Sequence, residues 1–454
     1  MRVIATHRPD AALALAGPAG AVADGVVPAE ASEARRGLVD LLLGLGILLQ
    51  FGLSGYALEF FGIPYITQGG TILQKVHPAN YVFALALLAA IVAHPNPIGY
   101  FLSLMTRRLG AVSMIVACAF IYVFVSRYHP TMSAAYLVDA MISAALVALL
   151  LADAPPSTML RLARLLHVII VANALLAIVE VSSGWRLFPF GVKGEEMVWD
   201  YRATALLGHP LDGALATGVY AVILMTAGTV PGLPERLRLP IILLCMAAMP
   251  AIGARTSFAV VYAVAGVMAG LAVLAFMRGR SVRPATVLAI MAALPLAVVA
   301  VAAVFQLGYL DGFLGRFQND SGSADARLDL YNLFSHYGLK EMVTGYDPNV
   351  LQTRVRVEGL EAGVENSWVG HLLQFGIPLS VMLWCAFAAF LADLFRNTGR
   401  LALLPTLFML AVLSTSVGIS GKTTMLVLPA TLMLVLLSPR AIARSRSDGS
   451  VGGP

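Results

Sequence analysis

Four residues of this chain combine chemically useful side chains with positions that a bland reading does not easily explain: Arg202, Arg255, Arg327 and Glu365. Arginine carries a permanent charge on a planar fork that can meet a phosphate through two parallel hydrogen bonds. A carboxylate can take the proton of an attacking hydroxyl. Gathered at a boundary between lipid and water, the three guanidiniums could stabilise a phosphate-bearing group and the carboxylate could deprotonate an attacking hydroxyl. Each residue also has a plainer reading. Arg202 stands where a loop enters an apolar run, and gripping a phosphate-bearing substrate weighs equally with snorkelling to ordinary lipid phosphates. Arg255 lies in Gly253-Ala254-Arg255-Thr256-Ser257, which joins two apolar runs with almost no loop, so its charge needs an anion near bilayer depth. That anion is a substrate or a structural carboxylate such as Glu180 or Asp212. Arg327 opens an amphipathic stretch or sits on a solvated helix face. Glu365 stands where an apolar run begins, beside Asn366 and an aromatic suited to the membrane interface, Trp368.

The elements that must position these residues follow from composition. Of 454 residues, 59% are hydrophobic and 12% charged, and the mean hydropathy is +0.83, far above that of a water-soluble fold of this size. The chain reads as an all-α, polytopic membrane bundle. Twelve apolar runs between Leu38 and Leu437 are long enough to cross about 30 Å of hydrocarbon. They divide the chain into a disordered cytoplasmic tail (1–36), spans one to nine (37–307), a periplasmic lid (308–368), spans ten to twelve (369–437) and a second cytoplasmic tail (438–454). A cleaved leader starting at Arg2 and Arg8 is the alternative for the first tail. Short loops on one side hold Arg107/Arg108, Arg161/Arg164, Arg236/Arg238, Arg278/Arg280/Arg283 and Arg396/Arg400. That bias puts this side, with both termini, in the cytoplasm. Lys193, Arg202, Arg255, Arg316, Arg327, Lys340, Arg354 and Arg356 fall on the other side, where topology does not call for them.

The net charge of +5 is dispersed among loops and does not form a nucleic-acid-binding stripe. Cys118, Cys245 and Cys385 sit inside apolar runs, so neither a disulfide framework nor a thiolate metal site is expected. No metal-ligand spacing appears, and no cofactor is implied. Span ten is expected over Val369–Phe395. Within the polar passage from Asp311 to Pro378, Ser323 and Asp325 suit the start of a short amphipathic helix with Leu330, Phe334 and Tyr337 on one side. Gly345-Tyr346-Asp347-Pro348-Asn349 reads as a structural turn. His371 reads as a packing residue, and Asp139 and Asn173 as buried polar groups answered by neighbouring helices. Gly421-Lys422-Thr423-Thr424 resembles the end of a phosphate-binding loop, but Ser416 stands where its leading glycine belongs, so it is set aside.

Three short stretches, in this order and spacing, resemble the O-antigen ligase and polysaccharide polymerase family of bacterial envelope proteins. Arg202-Ala203-Thr204-Ala205-Leu206-Leu207-Gly208-His209-Pro210 looks like the family's Arg-Ala-Thr-Gly-Leu-Phe-Gly-His-Pro, and Ala254-Arg255-Thr256 its Ser-Arg-Xaa turn. Asn366-Ser367-Trp368 with Gly376-Ile377 resembles the Asn-Ser-aromatic and Gly-Ile pair that closes its long loop. Ligases of the family carry His before the Asn; here Glu365 stands there, as in the exopolysaccharide polymerase branch. The resemblance covers about Leu165 to Phe395. It implies an inner-membrane glycosyltransferase of GT-C-like fold that uses undecaprenyl-diphosphate-linked oligosaccharide at the periplasmic face and works beside a flippase and a chain-length regulator. Catalysis is then expected from Glu365, Arg255 and Arg327, and substrate binding from Arg202, His209, Asn366, Trp368 and Arg356. The alternatives are a ligase that transfers glycan to lipid A core and a lipid-linked oligosaccharide flippase.

Overall fold

The computed structural model describes residues 29–67, 69–129, 132, 135–189, 191–192, 195–196, 200, 202–279, 314–315, 329–360, 363–439 and 441–443. Arg327, the expected ninth span and the first part of the lid lie outside them. The architecture is helical, with one two-residue antiparallel ladder pairing β1 (Gly191–Val192) with β2 (Glu195–Glu196). The helices are α1 (Ala29–Gly52), α2 (Gly55–Phe60), α3 (Pro78–Val92), α4 (Pro97–Arg107), α5 (Leu109–Tyr128), α6 (Val138–Leu150), α7 (Pro156–Ser183), α8 (Pro210–Thr226), α9 (Glu235–Ile252) and α10 (Arg255–Met277). After the gap come α11 (Leu339–Thr344), α12 (Pro348–Val357), α13 (Ser367–Thr398), α14 (Leu403–Leu413) and α15 (Val427–Leu436). Among the described residues four stretches are long and apolar enough to cross a membrane: α5, α7, α10, and α13 continuing into α14. α3, α6, α8 and α15 are shorter apolar helices.

The starts of these helices are written locally. Proline opens α3, α4, α7, α8 and α12, where its missing N–H costs nothing. Side chains of His77, Asn96, His209, Asp347 and Asn366 accept the first free N–H groups of their helices. Long-range packing then joins α13 to α5, α1 to α3, and α8 to α9, α10, α14 and α15. Small residues allow close approach: Gly110 of α5 leaves no room for a Cβ against the backbone of Ala389. α6 opens with a π-helical turn, Val138–Ile142, that carries Asp139. Its buried carboxylate accepts from Tyr65 Oη at 2.8 Å, Asn80 Nδ2 at 2.7 Å and the His77 N–H at 2.9 Å.

Three sequence expectations need correction. The first tail does not extend to Arg36, because α1 begins at Ala29, where Ala and Glu favour helix before the apolar run. The stretch around Leu330 is a 3₁₀ helix, Leu330–His336, whose three-residue period puts Leu330 and Leu333 into one small core with Tyr337, Tyr346, Leu360, Val369 and Leu373. The span expected over Val369–Phe395 is broken at Gly376 (φ 74°, ψ 177°), two residues before Pro378. A Cβ at Gly376 would stand 2.6 Å from the Val343 backbone, so α11 docks against this break at glycine distance. Gly345-Tyr346-Asp347-Pro348-Asn349 is the structural turn expected, with Asp347 capping α12.

Candidate active site

Arg202 is placed by a segment that other helices hold by its backbone. Glu180, buried on α7, accepts the N–H groups of Thr204 and Ala205 at 2.9 Å each and that of Leu187. Asn173, two turns earlier, accepts those of Leu206 and Leu207 at 3.1 Å, and Ala203 donates to the carbonyl of Ala251. These contacts engage five consecutive N–H groups, from Ala203 to Leu207, and they explain two buried polar residues on an apolar helix. The cost is visible at Ala205, whose φ of 45° is left-handed. It stands where the resembling stretch has glycine, the residue that tolerates this conformation best. Asp200 then fixes the Arg202 side chain: Nε lies 2.9 and 3.0 Å from its carboxylate oxygens, and Nη2 reaches Oδ2 at 2.5 Å.

The backbone of Arg255 is set by a helix-to-helix turn. Gly253 ends α9 in the left-handed region (φ 73°), Ala254 is extended, and Arg255 is the first residue of α10. A helix start presents unsatisfied N–H groups and the positive end of its dipole, so this turn favours an anion even before the guanidinium is counted. Glu365 precedes α13, whose cap Asn366 accepts from Trp368 N–H at 3.0 Å and Val369 N–H at 3.1 Å.

These three segments meet. Arg202, Arg255 and Glu365 line one cleft of about 90 Å³ together with Thr256, Ser257, Thr415 and Ser416. Thr415 donates to Thr256 at 3.2 Å, and among the described residues the buried Ser257 hydroxyl has no partner. The space matches a phosphate-sized group or several waters; a whole lipid-linked sugar would lie mostly outside. The remaining expected site residues are placed differently. His209 caps α8 by accepting the Leu211 N–H at 3.2 Å and stacks on Tyr56, with ring centroids 6.4 Å apart. Asn366 spends its side-chain oxygen on the cap. Trp368, read as an interface aromatic, turns inward, donates to Ser414 at 2.8 Å and packs edge-on against Trp384. Arg356 ends α12 exposed and is not among the cleft's lining residues, while Arg354 lies over the Tyr346 ring. Glu180 and Asp212, named as possible partners of Arg255, are engaged with 204–205 and with Thr424 respectively.

The segment 416–424, set aside as a phosphate-binding loop, is a hub of the packing. Ser416 and Val417 line the cleft, and their carbonyls accept from Ser367 Oγ. Ile419 O lies 3.2 Å from His371 Nε2, and Ser420 O accepts from Gln374. His371 takes the Trp384 N–H on its other nitrogen, which makes it a packing residue. Lys422 donates to Tyr65 O at 2.5 Å and sits 3.6 Å above that ring's centroid. Burial is the main cause that lowers its pKa to about 8, opposed by Asp139. The sequence marks only the turn residues of this hub; its partners lie too far away in the chain for any local pattern to show them. Among the described residues no group of His, Cys, Asp and Glu could hold a metal.

No family model, curated protein or solved structure matches this chain.

Proposed function

We propose that the chain is a membrane glycosyltransferase that polymerises lipid-linked repeat units, transferring glycan from undecaprenyl diphosphate to a sugar hydroxyl of a second lipid-linked unit. The observation that carries this reading is the meeting of Arg202, Arg255 and Glu365, from segments far apart in the chain, at the start of α10. In this reading the acceptor oxygen attacks the anomeric carbon as the bond to the diphosphate breaks. The hydroxyl proton passes to Glu365, and the charge left on the diphosphate falls to the two arginines and the N–H groups of α10. A transition state with oxocarbenium character sheds that proton late, so a carboxylate suffices as base. A single displacement inverts the anomeric centre. The resemblance adds the choice of polyprenyl diphosphate and the periplasmic face; the twelve-span topology, the lid and a role for Arg327 belong to the same reading.

The deciding experiment incubates purified protein with one lipid-linked repeat unit and resolves the products by size. A ladder of inverted linkages is expected, together with its loss in Arg255→Ala at an unchanged membrane level. Intact long polymer from Arg255→Ala would end the diphosphate-clamp idea, and full activity of Glu365→Gln would remove the base. A knockout that accumulates inward-facing repeat units would identify a flippase instead.

A further inference from the structure

A second, larger cavity lies away from this cleft. It is a groove of about 890 Å³ between the start of α1, the end of α3, α4 and the end of α6. The two are at opposite ends of the bundle: α1 lines the groove with Arg36 and Leu43 at its start, while its far end leads to Ser54 and Tyr56 against Gly208 and His209. With a rise of about 1.5 Å per residue, the stretch of α1 from Arg36 to Gly52 separates them by roughly 24 Å. The groove is therefore on the side that carries the paired short-loop arginines, and the transfer reaction has no use for it.

Its walls differ with depth. Leu43, Leu87, Ala90 and Leu149 make the interior apolar. The mouth carries both signs: Arg36 and Arg107 as cations, Asp40 and Asp153 as anions. The carboxylates are held in place, Asp153 by both Arg107 nitrogens at 2.7 Å and Asp40 by Arg161 at 3.0 Å. Each retains acceptor capacity beyond those bonds. His94 stacks on Tyr100 at 4.7 Å as a flat wall beside them. α4 spans about 16 Å and is too short to cross a bilayer. It exposes Ile98 and Leu102 beside the groove, as a helix lying in the interface does.

We propose that this groove is a binding site for a zwitterionic phospholipid with a primary ammonium headgroup, phosphatidylethanolamine by chemical class. An apolar interior takes the acyl chains, Arg36 and Arg107 face the phosphate, and Asp40 and Asp153 accept the ammonium N–H groups. A headgroup with only negative charge would meet two fixed carboxylates, and a choline headgroup offers no N–H to them. The site is independent of the glycosyl-transfer reading.

Native mass spectrometry of the delipidated full chain, titrated with phosphatidylethanolamine, phosphatidylglycerol and phosphatidylcholine of identical acyl chains, tests it. Ethanolamine lipid is expected at several-fold higher occupancy than either competitor. Ala90→Trp, which fills the interior without touching a charge, should reduce that occupancy to the choline level, and exposed Arg36→Gln should lower it several-fold while the melting temperature holds. Arg255→Ala should leave it unchanged. Equal occupancy by all three lipids, preference for the glycerol lipid, or undiminished binding by Ala90→Trp would overturn the proposal. So would binding that appears only after deletion of residues 1–28, which would make the chain's own start the occupant.

Discussion

Arg202 and Arg255 line the same cleft, and their backbones are set there by different means. Arg202 belongs to a segment whose backbone is bonded by Asn173 and Glu180 from α7 and whose guanidinium is gripped by Asp200. The backbone of Arg255 is set by a left-handed glycine and by the first turn of α10. The backbone at the first arginine can therefore be loosened from α7; at the second it depends on its own turn. This contrast shows how a bundle can carry buried acids such as Glu180 for reasons of position alone, since three backbone N–H groups answer that carboxylate.

The contrast is open to direct attack. Arg255→Ala should have the largest effect, a loss of polymer synthesis on the order of 10²–10³-fold, read as ladder formation by purified protein, with little change in thermal unfolding. Glu180→Ala should come next: it orphans N–H groups at Thr204 and Ala205, lowers stability by roughly 1–3 kcal/mol and lowers turnover about tenfold through Arg202. No single α7 change should imitate Arg255→Ala, and one that did would erase the distinction. Asp200→Asn, which weakens only the side-chain grip, is expected to reduce kcat a few-fold with the melting temperature held, and Asp200→Glu to restore part of it. Lys422 supplies a pH test of the hub beside both arginines. Its folded pKa near 8 lies below the ordinary 10.5, so wild type should gain stability relative to Lys422→Met as pH rises from about 8 to 10.5, and lose that gain below about 8. The smallest expected effect is Ala205→Gly, a gain of a few tenths to about 1 kcal/mol from relief of left-handed backbone, measured by unfolding in detergent.

The parts legible in the sequence are those with a local cause. Helix starts follow proline and capping residues, and Arg202, Arg255 and Glu365 stand out because topology gives them no reason to be where they are. Local pattern cannot show that Asn173 and Glu180 reach the backbone 24 to 34 residues ahead, since a polar residue in an apolar run looks the same whatever it bonds. Nor can it show that Trp368 reaches Ser414, because the same aromatic serves an interface or an interhelical hydrogen bond according to which way its helix faces. The 416–424 hub escapes for the same reason: its contacts at Ser367, His371, Gln374 and Tyr65 lie 46 to 357 residues away.

The break at Gly376 has a mechanical meaning. It divides α13 into a long membrane-facing rod and a short leading piece, Ser367 to Phe375, whose buried face is shared with the small core of the loop. Glu365 is attached to that leading piece, and α11 rests against the break itself. The candidate base is thus joined to a short piece that Ser367, His371 and Gln374 tie to 416–420, so filling the space at Gly376 would act on the carboxylate's position without touching it.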